Sequence, residues 1–200
     1  MTRGCFVVFE GIDGCGKSSQ ARRVAAARGA RFVFEPGDSA LGAELRRWLL
    51  DAATPMTPVT ESLMMLADRS HHVATVIEPT LASGTSVAAD RYYASTLAYQ
   101  GYGRGVDLSE LEAATELAIG SCRPDLTVLI DIDSRTAHER GARRAEDRFE
   151  SADAHFHDRV RAGYLEMAAR DLEHWFVVDG SASFDEVSAV IDARLDQLNW

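Results

Sequence analysis

Gly11-Ile12-Asp13-Gly14-Cys15-Gly16-Lys17-Ser18 fills every fixed position of the pattern G-x-x-x-x-G-K-[ST]. The pattern carries a definite chemistry. Its glycines let consecutive backbone N–H groups turn inward around phosphate oxygens. The helix that starts after Gly16 adds free donors and the positive end of its dipole. Lys17 can then reach the β- and γ-phosphates of a nucleotide, Ser18 can hold Mg²⁺, and Ser19 continues the same helix start. Lys17 is the only lysine in the chain, whose other 20 cationic residues are arginines. Cys15 stands inside the loop at a helix start, which can lower a thiol pKa; a small residue that merely fits is the simpler reading.

Two further groups bear on phosphate. Asp90-Arg91 follows an apolar run, where Asp90 could support Mg²⁺ through water and Arg91 could grip a second phosphate with its two-pronged guanidinium. An isolated Asp-Arg pair is equally the mark of a surface ion pair. Arg135, Arg140, Arg143, Arg144 and Arg148 cluster among Glu139, Glu146 and Asp147. They read either as a solvated, salt-bridged helix or as a lid that brings arginines onto a transferred phosphate. The guanine-reading N-K-x-D of a GTPase is excluded, because the one asparagine is Asn199 and the one lysine is already used.

These groups need elements to position them. Short apolar runs at 5–10, 31–35, 85–90, 126–132 and 175–179 read as buried strands. Helical periodicity covers 17–28, 41–51, 58–82 with a break near Pro79, a stretch near Tyr93, 108–121, 136–144, 154–172 and 184–198. The glycine-rich stretch 101–105 reads as a loop. Strands alternating with helices predict an α/β fold of the P-loop NTPase type: a five-stranded parallel sheet with helices on both faces and an arginine-rich lid. One domain spans 1–200, with the lid at about 139–152 by the position of the arginine cluster.

Composition bounds the rest. At 200 residues and 46% apolar content the chain can build a real core. The net charge of −10 argues against a nucleic-acid or membrane-surface binder, so the positive potential that a nucleotide needs must be local. Cys5, Cys15 and Cys122 are widely spaced, with no C-x-x-C pair and no signal peptide ahead of them. The expected location is the reducing cytoplasm.

In order along the chain stand Phe9-Glu10-Gly11 through Ser19-Gln20, Glu35-Pro36-Gly37, Ala67-Asp68-Arg69, Asp90-Arg91-Tyr92-Tyr93 through Gln100-Gly101, Arg123-Pro124-Asp125 and Asp147-Arg148-Phe149-Glu150. With these motifs the chain resembles the thymidylate (dTMP) kinases over nearly its full length. The resemblance implies an ATP- and Mg²⁺-dependent transfer to dTMP, and a homodimer built through the long helix that begins at Pro58. It implies that Asp13 approaches the acceptor sugar and the metal. Arg91 is implied to hold the acceptor phosphate, Arg69 and Thr96 to read the thymine edge, and Tyr99 to crowd the sugar 2′ position. Pro36 and Met65 fall on the acceptor wall, and Glu150 would orient the lid or the acceptor. Gly14 occupies the place where one subgroup carries a P-loop arginine. Lid arginines therefore act instead, Arg143 and Arg148 first, with Arg144 and Arg140 as alternatives.

Two places in the chain depart from the family pattern. Met65 stands where an aromatic side chain usually stacks on thymine. Phe34-Glu35-Pro36-Gly37-Asp38-Ser39 replaces Arg-Glu-Pro-Gly-Gly-Thr, which loses an arginine and gains an acid. Asp38 near an acceptor phosphate would repel it unless it turned to solvent. The departures leave two alternatives beside dTMP: another nucleoside or deoxynucleoside monophosphate, or a nucleotide-binding regulator without turnover. His71-His72 point about 100° apart on a helix, so a structural or solvated role is expected of them. The broad apolar face of 58–82 is explained equally by a dimer or by burial within one chain.

Overall fold

The computed structural model describes residues 2–141, 154–198 and 200. Five strands, β1 (Phe6–Glu10), β2 (Arg31–Phe34), β3 (Val87–Asp90), β4 (Leu126–Asp131) and β5 (Trp175–Asp179), form one sheet in the order β2-β3-β1-β4-β5. Every pairing is parallel. β1 lies at the centre and is buried along its whole length. Its side chains alternate between two cores, as a strand's period of two requires. Val7 and Phe9 pack with Ala21, Val24, Val160 and Ile191 on one face. Phe6 and Val8 pack with Val73, Ile77, Leu81 and Ile119 on the other. Burial on both faces is why the strands read as nearly unbroken apolar runs.

The helices are α1 (Lys17–Arg28), α2 (Ala40–Leu50), α3 (Pro58–His72), α4 (Glu78–Ala82), α5 (Tyr93–Thr96), α6 (Leu108–Ile119), α7 (Ser134–Gly141), α8 (Ala154–Arg170) and α9 (Phe184–Gln197). Local chemistry fixes their starts. Ser39 accepts from Gly42 N, and Thr57 accepts from Thr60 N with a proline beginning the helix behind it. Ser183 and Glu186 close a reciprocal capping box. Asp133 accepts from Thr136 N at 2.9 Å, so α7 begins two residues ahead of its expected start.

Two expectations need correction. Residues 101–105 are not a plain loop: Leu97–Gly103 is a π-helical segment that continues α5. A Cβ on Gly103 would lie 2.5 Å from the Phe156 ring, so the glycine is there to let α8 approach. The long helix also does not break at Pro79. It widens into a π-helical turn at Val73–Ile77, just before the proline, and resumes as α4. A widened turn relieves the crowding that a proline ring imposes on the preceding carbonyls.

β1 is flanked by β3 and β4, so the chain diverges at its C-terminal end and leaves a crevice there. The glycine loop after β1 and Arg91 after β3 both open into that crevice.

Candidate active site

The loop after β1 takes the backbone shape that its glycines allow. Gly11, Gly14 and Gly16 have φ of 139°, 82° and 95°. Gly14 is also a steric necessity: a Cβ there would stand 2.4 Å from the Ala137 carbonyl oxygen of α7. An arginine at this position is incompatible with the way α7 packs. Lys17 is buried and folds over the loop, its Nζ donating to Ile12 O at 3.2 Å and lying 3.6 Å from Asp13 Oδ1.

Arg91 is the hub of the site. It is the one non-glycine residue with positive φ, 72°, among the described residues, a conformation that its surroundings must enforce. One guanidinium nitrogen donates to Asp13 Oδ1 at 2.6 Å and to Tyr99 Oη at 3.0 Å. The other donates to Ser95 Oγ at 2.9 Å and Tyr164 Oη at 3.2 Å. Tyr99 in turn donates to Asp13 Oδ2 at 2.7 Å. Burial pushes the Asp13 carboxyl up, but Arg91 and then Lys17, with the Tyr99 bond, overcome this and hold it well below the usual carboxylate range.

Behind Arg91 stands Glu10, fully buried at the end of β1. Its Oε1 accepts from Tyr92 N and Ser95 N, and its Oε2 from Ser95 Oγ at 2.6 Å and Tyr164 Oη at 2.9 Å. Burial pushes this carboxyl up, opposed by Arg91 and by the bonds from Ser95 and Tyr92. Four donors converge on it, and only the carboxylate accepts from all of them. Ser95 and Tyr164 thus give their protons to Glu10 and turn their lone pairs to Arg91.

The opposite wall is organised by Arg69. Its guanidinium is 2% exposed and donates to Glu35 Oε2 at 2.8 Å, Thr96 Oγ1 at 2.7 Å and Tyr92 O at 3.0 Å. An ion pair buried on both sides contributes little net stability, so this one is better understood as fixing geometry. Arg46 of α2 donates to Pro36 O at 2.7 Å. Buried Gln100 donates to Glu61 at 2.9 Å. Between the two walls lies one cavity of about 550 Å³, lined by Asp13, Lys17, Ser18 and Ser19 on one side and by Pro36, Met65, Arg69, Asp90, Arg91, Thr96 and Tyr99 on the other.

The family model described as thymidylate kinase matches residues 9–191. The chain belongs to the thymidylate kinase family. It is 42% identical to the thymidylate kinase of Leifsonia xyli subsp. xyli over 200 residues, covering 96% of this chain and 95% of that one. It is 43% identical to that of Oleidesulfovibrio alaskensis over 206 residues, covering 94% and 97% respectively. Its fold superposes on the crystal structure of thymidylate kinase from Ehrlichia chaffeensis with a TM-score of 0.78 at 29% identity, over 97% of this chain and 99% of that chain. It is thus a nucleoside monophosphate kinase by family.

Against that family, the expected residues gather well. Asp13, Lys17, Ser18, Ser19, Pro36, Met65, Arg69, Asp90, Arg91, Thr96 and Tyr99 all line the one cavity. Gly11, Ile12, Gly14, Cys15 and Gly16 complete the loop beside it. Asp90 Oδ1 is buried with no protein partner, so the carboxylate is open toward a cation that Ser18 could share. No group of three or more His, Cys, Asp or Glu side chains gathers for a metal among the described residues. Mg²⁺ held by one or two protein oxygens, with phosphates and waters supplying the rest, needs no such group. Cys15 is 3% exposed and burial pushes its thiol up, so the helix start does not activate it.

Asp38 does not line the cavity; its side chain is 24% exposed, with one oxygen buried. It turns to His72, with Oδ2 lying 3.4 Å from Nε2. Of the arginine cluster, Arg135 pairs with Glu139 on the surface. Arg140 does not point toward a phosphate: it donates to the carbonyls of Gly180 and Ser181, tying α7 to the turn before α9. Arg143, Arg144, Arg148 and Glu150 lie outside the described residues. Sequence reasoning missed Glu10, Arg46, Ser95, Gln100 and Tyr164. Glu10 carried a signal as an acid closing an otherwise apolar strand, and Ser95 and Gln100 stood inside the motif 90–101 with no role given to them.

Proposed function

We propose that this chain transfers the γ-phosphoryl group of ATP to dTMP, forming dTDP and ADP. The observation that carries the reading is the single cavity in which the phosphate-binding loop and the acceptor set face each other, joined by the Asp13–Arg91 ion pair at 2.6 Å. The acceptor phosphate needs no strong base, since its second ionisation falls near about pH 6. The work of the protein is alignment and charge. Loop N–H groups and Lys17 hold the donor phosphates. Arg91 holds the acceptor phosphate in line, and Asp13 fixes Arg91 from the side nearest the sugar. Arg69 and Thr96, already bonded to each other, present an edge to the base, while Tyr99 closes the space beside the sugar. Burial keeps the Tyr99 phenol protonated, so it stays a donor to Asp13. Ser18 and Asp90, partly through water, would hold Mg²⁺, which offsets charge on the phosphates. A lid at 139–152 within one domain, 1–200, would bring Arg143 or Arg148 to the transferred group.

Among the described residues no helix is long and apolar enough to cross a membrane. Cys5, Cys15 and Cys122 are free thiols, which suits the cytoplasm. Val59 and Leu63 are 56% and 59% exposed on α3, and exposed Ala67, Ser70 and Ala74 continue their stripe. A second copy covering this stripe gives a homodimer. Sedimentation should therefore report twice the chain mass, and Leu63→Glu should halve it. A monomeric parent chain would refute the dimer.

ADP release with ATP-Mg²⁺ against dTMP, dUMP, dCMP, dGMP and UMP tests the function. dTMP should give the highest kcat/KM, with no ADP formed when acceptor is omitted. Met65 favours a second reading, because a thioether covers a base face less rigidly than a ring. A different preferred monophosphate would establish that reading. ATP hydrolysis independent of acceptor would remove both.

A further inference from the structure

His72, the last residue of α3, is fully buried with a carboxylate oxygen facing each ring nitrogen. Nδ1 is 2.9 Å from Glu35 Oε1, and Nε2 is 3.4 Å from Asp38 Oδ2. Neither Nε2 nor Asp38 Oδ2 has a hydrogen-bond partner, and the 3.4 Å between them is an ion-pair distance, not a hydrogen bond. A neutral imidazole has one donor nitrogen and one acceptor nitrogen. In this setting the acceptor nitrogen would point its lone pair at a carboxylate. The doubly protonated ring donates to Glu35 and faces Asp38 with an N–H and a positive charge instead of a lone pair.

We propose that His72 is a positioning residue for the acceptor pocket: as an imidazolium hydrogen-bonded to Glu35 and ion-paired with Asp38, it pins both ends of the turn 35–38 to α3. That turn carries part of the acceptor wall. Pro36 lines the cavity, and its carbonyl anchors Arg46. Gly37 N donates to Asp68 Oδ2 at 3.2 Å. A glycine at 38 would leave Nε2 without its carboxylate, so the second anchor is a feature of this chain's own Asp38. The inference rests on the acceptor reading of the cavity given above.

The charged groups around the ring are Glu35 and Asp38 from the turn and Asp68 and Arg69 from α3. Burial alone would push His72 down, but Glu35 and then Asp38 and Asp68 outweigh it and raise its pKa. Asp68 itself is pushed up to about 6, by burial and by Glu35. Above that pH its charge favours the imidazolium further. The direction follows from linkage. A raised histidine keeps its proton, and the clamp with it, to higher pH than a free ring does. Both are lost as pH rises through the folded-state value.

The test combines ring NMR with kinetics on the full chain. His72→Gln assigns the His72 ring signal among the 6 histidines. In the parent its titration midpoint should lie above the usual value of about 6.5. In Asp38→Asn and Asp38→Gly it should fall. The KM for dTMP should rise about tenfold as pH passes the midpoint, the effect of losing one charge-assisted bond, while the KM for ATP stays flat. In both Asp38 variants that alkaline limb should move to lower pH. A ring that titrates at or below the usual value, or an active enzyme whose limb is unmoved by Asp38 substitution, overturns the clamp alone. An enzyme inert toward dTMP at every pH overturns the acceptor reading, and the proposal with it.

Discussion

Lys17→Ala should lower kcat by on the order of 10³ with the fold intact, the scale at which a preorganised cation acts on a developing phosphoryl charge. The chain's arrangement makes the loss hard to repair. Lys17 is the only lysine, and its side chain is already folded into the glycine loop against Ile12 O. Among the described residues, no cation beside the loop is free to substitute. Arg91 is already held by Asp13, Tyr99, Ser95 and Tyr164. Arg22 lies over the Phe32 ring at 4.1 Å. The fold should survive, because the Lys17–Asp13 contact is long at 3.6 Å and Asp13 keeps its closer partner Arg91. Single-turnover transfer and a thermal unfolding curve on the same sample check both halves. Near-parental turnover in a folded variant would remove Lys17 from the chemistry.

The glycine loop was legible because its chemistry is local: eight consecutive residues hold the donors, the lysine and the hydroxyl. The fold was legible because burial on both faces of β1 leaves an apolar run that turn residues punctuate. By residue chemistry alone Arg91 was legible as one half of a dipeptide, and only the family resemblance gave it a role. What makes it a hub is Glu10, Ser95 and Tyr164, drawn from β1, α5 and α8 and converging at hydrogen-bond distance. A serine or tyrosine inside a helical pattern gives no sign that it will meet a glutamate more than eighty residues away. Asp38 was left open for a related reason. Its charge was readable, but its direction depends on where the end of α3 places His72. Arg140 was one of five similar arginines until packing aimed it at Gly180 and Ser181.

Arg91→Gln should cut kcat/KM for the acceptor by on the order of 10³, with a much smaller change in the KM for ATP. Glutamine keeps a hydrogen-bonding tip but loses the charge and the two-pronged donor face, and Arg91→Lys should not restore them. The variant also leaves two acids without their common cation. Asp13 would retain Lys17 and Tyr99, while Glu10, fully buried, would retain only uncharged donors. In the parent, Arg91 helps hold Asp13 below the usual carboxylate range, so Asp13 stabilises the fold above its unfolded value of about 4. That contribution is lost as pH falls through the still lower folded-state value. Without Arg91 the Asp13 contribution shrinks, and ionised Glu10 becomes a liability at neutral pH. The variant should therefore be less stable than the parent at pH 7, and the gap should narrow on acidification as Glu10, raised by burial, protonates. Urea unfolding at pH 7 and at about pH 4 measures it. A gap that stays constant with pH would mean that Arg91 supports the fold through packing alone, and that the Asp13–Arg91–Glu10 arrangement is not the electrostatic centre of the site.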